Sequence, residues 1–502
     1  MTTIRSMTAA ALIGAALSMP AQPDDRTAVT IYSSATPGAI PADLYRPVPG
    51  TSTWGYTQSG RIPGYAVVKR VRTLDLERGV SSHAFTGVAA LIDPTTVLFE
   101  SLTDPDGTSV LEQSYRFDLL NMDKMLSRYI DKEIIIDGQR VSLLSVTSGG
   151  LLIRGDEGTI KFRSGYKGVA FPRVADGLIT TPTLEWTIDA DRAGEHETRL
   201  SYETRGMTWW ADYNLVFHPG PDENSGTIDL GAWVSILNQS GGTYEDATLK
   251  LIAGDVNRAR RDDALAPSHR GRIAGVLEDA RSQGFEEKAF FEYHLYTLGR
   301  PATIPDRSTK QIELFEPARS VAAEKLLMFD ATSAYMRYGG RHDAESFGLD
   351  ARGKVRVYLR FDNDEAEGLG VPLPKGRVRV SQTDDADGSL EFIGEDTIDH
   401  TPRNETITIM MGNAFDVVGE RRQVSFERGK RWMTETIEVK IRNQKDRAVG
   451  VHIKEHLYRW TNARVTACSH ERDMLDARTM MIPVSVEPEG EAVVTYTVHY
   501  SW

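Results

Sequence analysis

The sequence predicts a mainly β chain, built as a multi-domain set of antiparallel β-sandwiches with a small β-barrel insert and few short helices. Three observations predict it. Apolar and polar residues alternate in many short runs, the mark of half-buried strands: Thr198–Thr204, Val355–Phe361, Arg377–Ser381, Thr406–Met410, Thr436–Ile441 and Val493–Tyr500. Clusters of Gly, Asp and Asn separate such runs, at Asn238-Gln239-Ser240-Gly241-Gly242, Asp387-Gly388 and Asn443-Gln444-Lys445-Asp446. Helical periodicity is scarce, so short turns and not crossover helices join the strands, which favours antiparallel sheets.

At 502 residues the chain exceeds one compact core. Its elements are taken in order. Residues 1–21 read as a secretory signal: Arg5 is the positive start, Met7 to Leu17 the short apolar stretch, and Ser18 and Ala21 the small residues, with cleavage after Ala21. The apolar stretch falls short of the ~20 residues a spanning helix needs, so the mature chain has no transmembrane segment. Residues 22–130 form an N-terminal β-rich domain, in which Asn121 caps a helix over Met122–Ile130. Residues 131–175 form the small barrel, with an Asp137-Gly138 turn between Glu133–Ile136 and Val141–Val146. Residues 176–315 form a first sandwich, interrupted by a long polar insertion at 257–283 in which Ile273–Gln283 suits a helix. Residues 316–502 form a second sandwich, where Asp387-Gly388 turns a hairpin.

Composition narrows the function classes. Hydrophobic residues at 40% and charged residues at 26% describe an ordinary folded chain. A formal charge of −13 does not suit nucleic acid as a partner. Cys468 is the single cysteine, so no internal disulfide supports the fold.

Several stretches resemble one bacterial family. They are Glu203-Thr204-Arg205-Gly206-Met207-Thr208-Trp209-Trp210-Ala211-Asp212-Tyr213, Asn238 to Ala247, Leu251-Ile252-Ala253-Gly254-Asp255-Val256, Phe361-Asp362-Asn363, Gly370 to Gly376, Ile393-Gly394-Glu395-Asp396 and His400-Thr401-Pro402. Together they look like the domain of unknown function 4139 family, whose relatives include mucoidy inhibitor A homologues. The resemblance spans about residues 180–502 and implies an exported, β-rich protein with no established activity. Those relatives place a long coiled coil in the N-terminal half, and no sustained heptad pattern occurs here. The chain therefore resembles the branch lacking the coiled coil.

Few motifs carry chemistry. His452-Ile453-Lys454-Glu455-His456 matches a zinc-peptidase string, but its surroundings alternate like a strand. On a strand His452 and His456 stand ~13 Å apart, too far for one zinc at ~2.0–2.1 Å per ligand. They are therefore argued against as metal ligands, and no metal or other cofactor is expected. Glu455 would then point into an apolar face and need an arginine partner. The acidic run Asp384-Asp385-Ala386-Asp387-Gly388 lacks the outer ligands of a calcium loop, since Thr383 and Gly394 occupy those positions. Trp209, Trp210, Tyr213 and Trp233 are the candidate ligand-binding residues, with core packing as the competing use of the same rings. On one strand Trp209 and Trp210 face opposite ways.

The expectation is an exported, non-catalytic β-sandwich protein, periplasmic or extracellular, that binds or scaffolds an envelope protein or a surface polysaccharide. The alternative is an envelope-glycan or peptide hydrolase whose site is assembled from distant residues.

Overall fold

The computed structural model describes residues 26–32, 40–41, 62–118, 120–155, 158–175, 177–253, 285–290, 293–332, 335, 340–348, 350–384 and 386–502. The expected signal segment and the polar insertion at 257–283 lie outside these residues. The described chain is mainly β, with a single α-helix among its described residues. No helix among them is long and apolar enough to cross a membrane. Contacts divide the chain into two compact units, Met1–Ala28 with Val68–Glu203 and Val29–Val67 with Thr204–Trp502. β1 (Arg26–Tyr32) and β2 (Tyr65–Leu76) each straddle that division.

The first unit contains β3 (Gly79–Thr86), β4 (Ile92–Ser101), β5 (Thr108–Arg116), α1 (Met122–Arg128), β6 (Glu133–Ile136), β7 (Gln139–Thr147), β8 (Gly150–Arg154), β9 (Ile160–Ser164), β10 (Val169–Ala170), β11 (Thr183–Ala190) and β12 (Gly194–Thr204). β11 is the centre of a three-stranded antiparallel sheet between β3 and β5. Its alternate residues Leu184, Trp186, Ile188 and Ala190 are buried, as period-two patterning requires. The Trp186 ring packs beside Phe85 and Phe99, and its Nε1 donates to Gln113 Oε1 at 2.9 Å. The polar edge of the indole is thus satisfied inside an apolar setting.

The expected small barrel is instead a five-stranded sheet in the order β10–β6–β7–β8–β9. Among the described residues no ladder joins β9 to β10, so the strands alone do not close. The core is completed by α1 and by the segment after β10: Met125, Leu126 and Tyr129 meet Ile134, Leu143, Leu151, Ala175 and Leu178. Expected domain boundaries at 130/131 and 175/176 therefore fall inside one packed body. Locally the sequence signals hold. Asn121 Oδ1 accepts from Lys124 N at 2.8 Å at the start of α1. Asp137 and Gly138 both take positive φ, 51° and 84°, in the turn between β6 and β7.

The second unit contains β13 (Met207–Pro219), β14 (Ser225–Asn238), β15 (Tyr244–Ala253), β16 (Phe285–Phe290), β17 (Tyr293–Leu298), β18 (Ala302–Ile304), β19 (Ser308–Phe329), β20 (Asp350–Asp362), β21 (Gly376–Thr383), β22 (Leu390–Ile398), β23 (Thr406–Arg428), β24 (Trp432–Asn443), β25 (Val449–His456), β26 (Ala463–Cys468), β27 (Asp473–Asp476), β28 (Thr479–Val486) and β29 (Glu491–Ser501). One sheet runs β22–β21–β13–β14–β19–β20–β23–β24–β29–β26, with β25, β27 and β28 branching from it. The boundary expected between 315 and 316 lies within β19, a strand of 22 residues. Across Glu316-Pro317-Ala318-Arg319-Ser320 the strand continues by shifting register against β14, with Ser320 at φ 53°. Two pairings depart from the antiparallel expectation: β13 with β21, and β19 with β25, are parallel.

The end of β19 joins β24, β25, β28 and β29 around a shared core that includes Phe329, Ile437, Ile453, Ile482 and Val498. Two strands end on the same device. Asn238 Nδ2 donates to the carbonyls of Gly242, Ile304 and Pro305 while its Oδ1 accepts from Ser240 N. Asn443 does the same with the carbonyls of Arg447, Val486 and Glu487 and with Lys445 N. Each buried amide satisfies backbone groups that leave the ladder at that point.

Candidate functional site

β13 and β14 pair along their length, and their side chains divide between two faces. On one face Trp209, Ala211, Tyr213 and Leu215 of β13 and Ala232 and Val234 of β14 are buried. Trp209 is 3% exposed and packs edge-on to Tyr296, with ring centres 6.4 Å apart. Tyr213 is fully buried, and its hydroxyl donates to Pro374 O at 2.6 Å. Burial pushes the Tyr213 phenol well above its ordinary value. Both rings are therefore closed to a ligand.

Trp210 lies on the other face, as the expected opposition of neighbours demands, but it too is covered. Ile40, Ile62 and Leu237 form a small apolar cluster with it. Its Nε1 donates to Asp212 Oδ2 at 2.7 Å. Of the four aromatic candidates only Trp233 is accessible, at 41% exposed. An aromatic platform built from all four rings is thus ruled out by burial of three, and the accessible remainder is one indole.

The register fixes what surrounds Trp233. It sits opposite Asp212 on β13 and Glu313 on β19, and Asp212 in turn sits opposite Arg377 on β21. One row of the outer face therefore reads Arg377, Asp212, Trp233, Glu313. The next row brings Arg379, Asn214 and Gly231 beside it. Gly231 has open space where a Cβ would stand, with no described atom within 4 Å of it. Asp212 is held by Trp210, by Ser235 Oγ at 3.3 Å and by Arg377 at 3.2 Å. The row is thus a charged strip beside one exposed indole, whose free face is of the kind that can stack on a flat group.

The His452–His456 string lies on β25, an eight-residue strand. His456 Nδ1 is 3.1 Å from Thr479 Oγ1 and its Nε2 is 3.7 Å from Asp330. His452 is half-buried, and burial lowers its basicity. Glu455 points to the opposite face and is fully buried; its arginine partner is Arg421, 3.1 Å away, with Tyr496 donating at 2.6 Å. A second buried pair lies in the same core, Arg459 with Glu435 at 2.6 Å, joined by Tyr500. Both arginines also reach the 342–348 segment: Arg459 donates to the carbonyls of His342, Ala344 and Phe347, and Arg421 to that of Gly348. Between them, burial pushes the Tyr458 phenol up to about 12. These carboxylates hold the core together and are closed to any substrate.

Sequence reasoning missed Arg421 and Glu435. The signal was present in strand parity: Arg421 follows Val417 and Gly419 on the inward side of β23, and Glu435 lies between Met433 and Ile437 on that of β24. Among the described residues no group of three or more His, Cys, Asp or Glu is placed to hold a metal ion. Fold and site together define a mainly β protein with a surface aromatic. No protein-family profile, curated protein or solved structure matches the chain.

Proposed function

We propose that the chain is an exported, non-catalytic β-sandwich protein that binds or scaffolds a partner in the cell envelope, with Trp233 as its contact. The partner is a surface polysaccharide or an envelope protein, and the location periplasmic or extracellular. The motif resemblance to the domain of unknown function 4139 family supports export alone. Exposure of Trp233 beside the charged row of Arg377, Asp212 and Glu313 is the observation that carries it. An exposed indole offers a large contact area, and aromatics supply much of the energy of contacts.

Affinity electrophoresis of the purified chain through isolated surface polysaccharide, beside plasmon resonance against envelope proteins, tests it. Trp233→Ala should weaken binding by about 30-fold, the ~2 kcal/mol of a contact hot spot. It should leave the thermal transition in place. Undiminished binding by the folded variant would remove Trp233 as the contact.

A further inference from the structure

A second exposed tryptophan lies on other strands of the same unit. Trp432 opens β24 and is 38% exposed. Met433, Ile437, Val439 and Ile441 of that strand enter the core, so Trp432, Thr434 and Thr436 share the outer face. Register completes the face. On β29, Ser501 sits opposite Trp432, His499 opposite Thr434 and Thr497 opposite Thr436. On the far side of β29, Arg464 of β26 sits opposite His499, and beyond β24, Glu427 of β23 sits opposite Thr434. One row therefore reads Glu427, Thr434, His499, Arg464. The row above it holds Trp432 and Ser501, with Asn462 Nδ2 donating to Ser501 Oγ at 2.7 Å.

The indole is held from two sides. It stacks on the His499 ring, with centres 5.8 Å apart and planes 26° apart. His499 is itself fixed by Thr434, whose Oγ1 is 3.0 Å from Nδ1. The Nε1 edge of the indole lies against Gly429, where a Cβ would overlap it. The neighbours are hydroxyls and an amide: Ser501, Asn462 and Thr434, then Thr436 and Thr497 in the row below, their hydroxyls 3.0 Å apart. A sugar presents C–H groups on one face and hydroxyls at its rim, which matches an aromatic face bordered by such groups. Trp432 is the one large apolar side chain in the three rows, so the apolar anchors of a peptide find no pocket there.

Charge selects among sugars. Arg464 is exposed and pairs with no carboxylate among the described residues, and the same holds for Lys430 and Arg431 in the turn that leads into Trp432. Glu427 is the single carboxylate of the three rows and stands at their far end, three strands and ~14 Å from Arg464. Beyond Thr436, Glu438 is already paired with Arg422 at 2.8 Å. The aromatic end of the face thus carries uncompensated positive charge. Arg464 lies two strands, ~10 Å, from Trp432, too far for one sugar ring to meet both.

We propose that this face binds a uronic-acid polysaccharide, with one sugar ring stacked on Trp432 and the carboxylate of a neighbouring ring on Arg464. The site shares no residue with the Trp233 row.

Isothermal titration of the full chain with tetramers of galacturonate, mannuronate and glucose, and with tetraglutamate, tests the proposal. At least one uronate tetramer should bind saturably at one site. The glucose tetramer should bind about tenfold more weakly, the scale of one charge-assisted contact. Tetraglutamate, which brings charge without a sugar face, should be at least as weak as glucose. Arg464→Gln should bring the uronate down to the affinity of the glucose tetramer and leave the latter unchanged. Trp432→Ala should weaken both by about tenfold. Gly429→Ala displaces the indole without removing it; it should act in the same direction and keeps the test open if Trp432→Ala does not fold. Trp233→Ala should change neither. Absence of binding by both uronates, equal affinity for the glucose tetramer or for tetraglutamate, binding indifferent to Arg464→Gln or to the Trp432 and Gly429 changes, or loss on Trp233→Ala would each overturn the assignment.

Discussion

Replacing Arg421 by methionine removes one half of an ion pair that solvent does not reach. Arg421 and Glu455 are both 0% exposed. After the change Glu455 Oε2 keeps only the Tyr496 hydroxyl, at 2.6 Å, while Oε1 already has no hydrogen-bond partner. Gly348 O also loses its 2.9 Å donor. Breaking one side of a buried pair costs about 3–5 kcal/mol, since the remaining charge stays desolvated. The pH dependence follows from Glu455. Burial raises its carboxyl above the ordinary 4.5 even with Arg421 present. A raised carboxyl contributes stability that is complete below the unfolded value and is lost as pH rises through the folded one. Without the Arg421 charge the folded value climbs further, so the variant's deficit is largest near neutrality and narrows toward pH 4. Urea unfolding of the C-terminal core at pH 7 and pH 4 measures both quantities. The double variant Arg421→Met with Glu455→Leu should recover most of the loss. A deficit under about 1 kcal/mol at pH 7, or one equal at both pH values, would refute Arg421 as the group that compensates the buried Glu455 carboxyl.

Three further outcomes follow from single contacts. Asn443→Ala strands the buried carbonyl of Val486 and the partly buried ones of Arg447 and Glu487, and should cost about 2 kcal/mol in urea unfolding, within the ~1–3 kcal/mol of one buried group left without a partner. A loss within 0.5 kcal/mol, roughly the scatter of surface changes, would show that water replaces the amide. Gly419→Val places a Cβ into the ring of fully buried Phe329 and should destabilise by about 1–3 kcal/mol, with partial rescue by Phe329→Leu. Absence of rescue would disprove overlap as the cause. Asn121→Ala removes the acceptor for Lys124 N and should cost about 1 kcal/mol locally, seen as roughly fivefold faster exchange of that amide. An unchanged exchange rate would mean that packing of Leu126, not the cap, holds the first turn.

Strand alternation, the Asn121 cap and the Asp137-Gly138 and Asp387-Gly388 turns were legible in the sequence because each depends on neighbours within a few residues. The burial of Glu455 was legible for the same reason: parity on a strand assigns a face. Parity likewise marks Arg421 as inward-facing, but its pairing with Glu455 was not legible, because the two lie 34 residues apart on different strands. Nor was the continuity of β19 through Pro317, which depends on β14 shifting register to accept it. Parity set Trp209 and Trp210 on opposite faces, but only the register of β13 with β14 put Trp210 and Trp233 on the same one, and the approach of Ile40 and Ile62 covers the first of these while the second is exposed. The face around Trp432 is decided at the same level, since His499 and Arg464 come beside it only through the register of β29 with β24 and β26. The chain by itself thus determined its elements and their inward faces, through local sterics and period-two burial. Tertiary structure alone decided which faces were then covered, because covering takes residues that are remote in sequence.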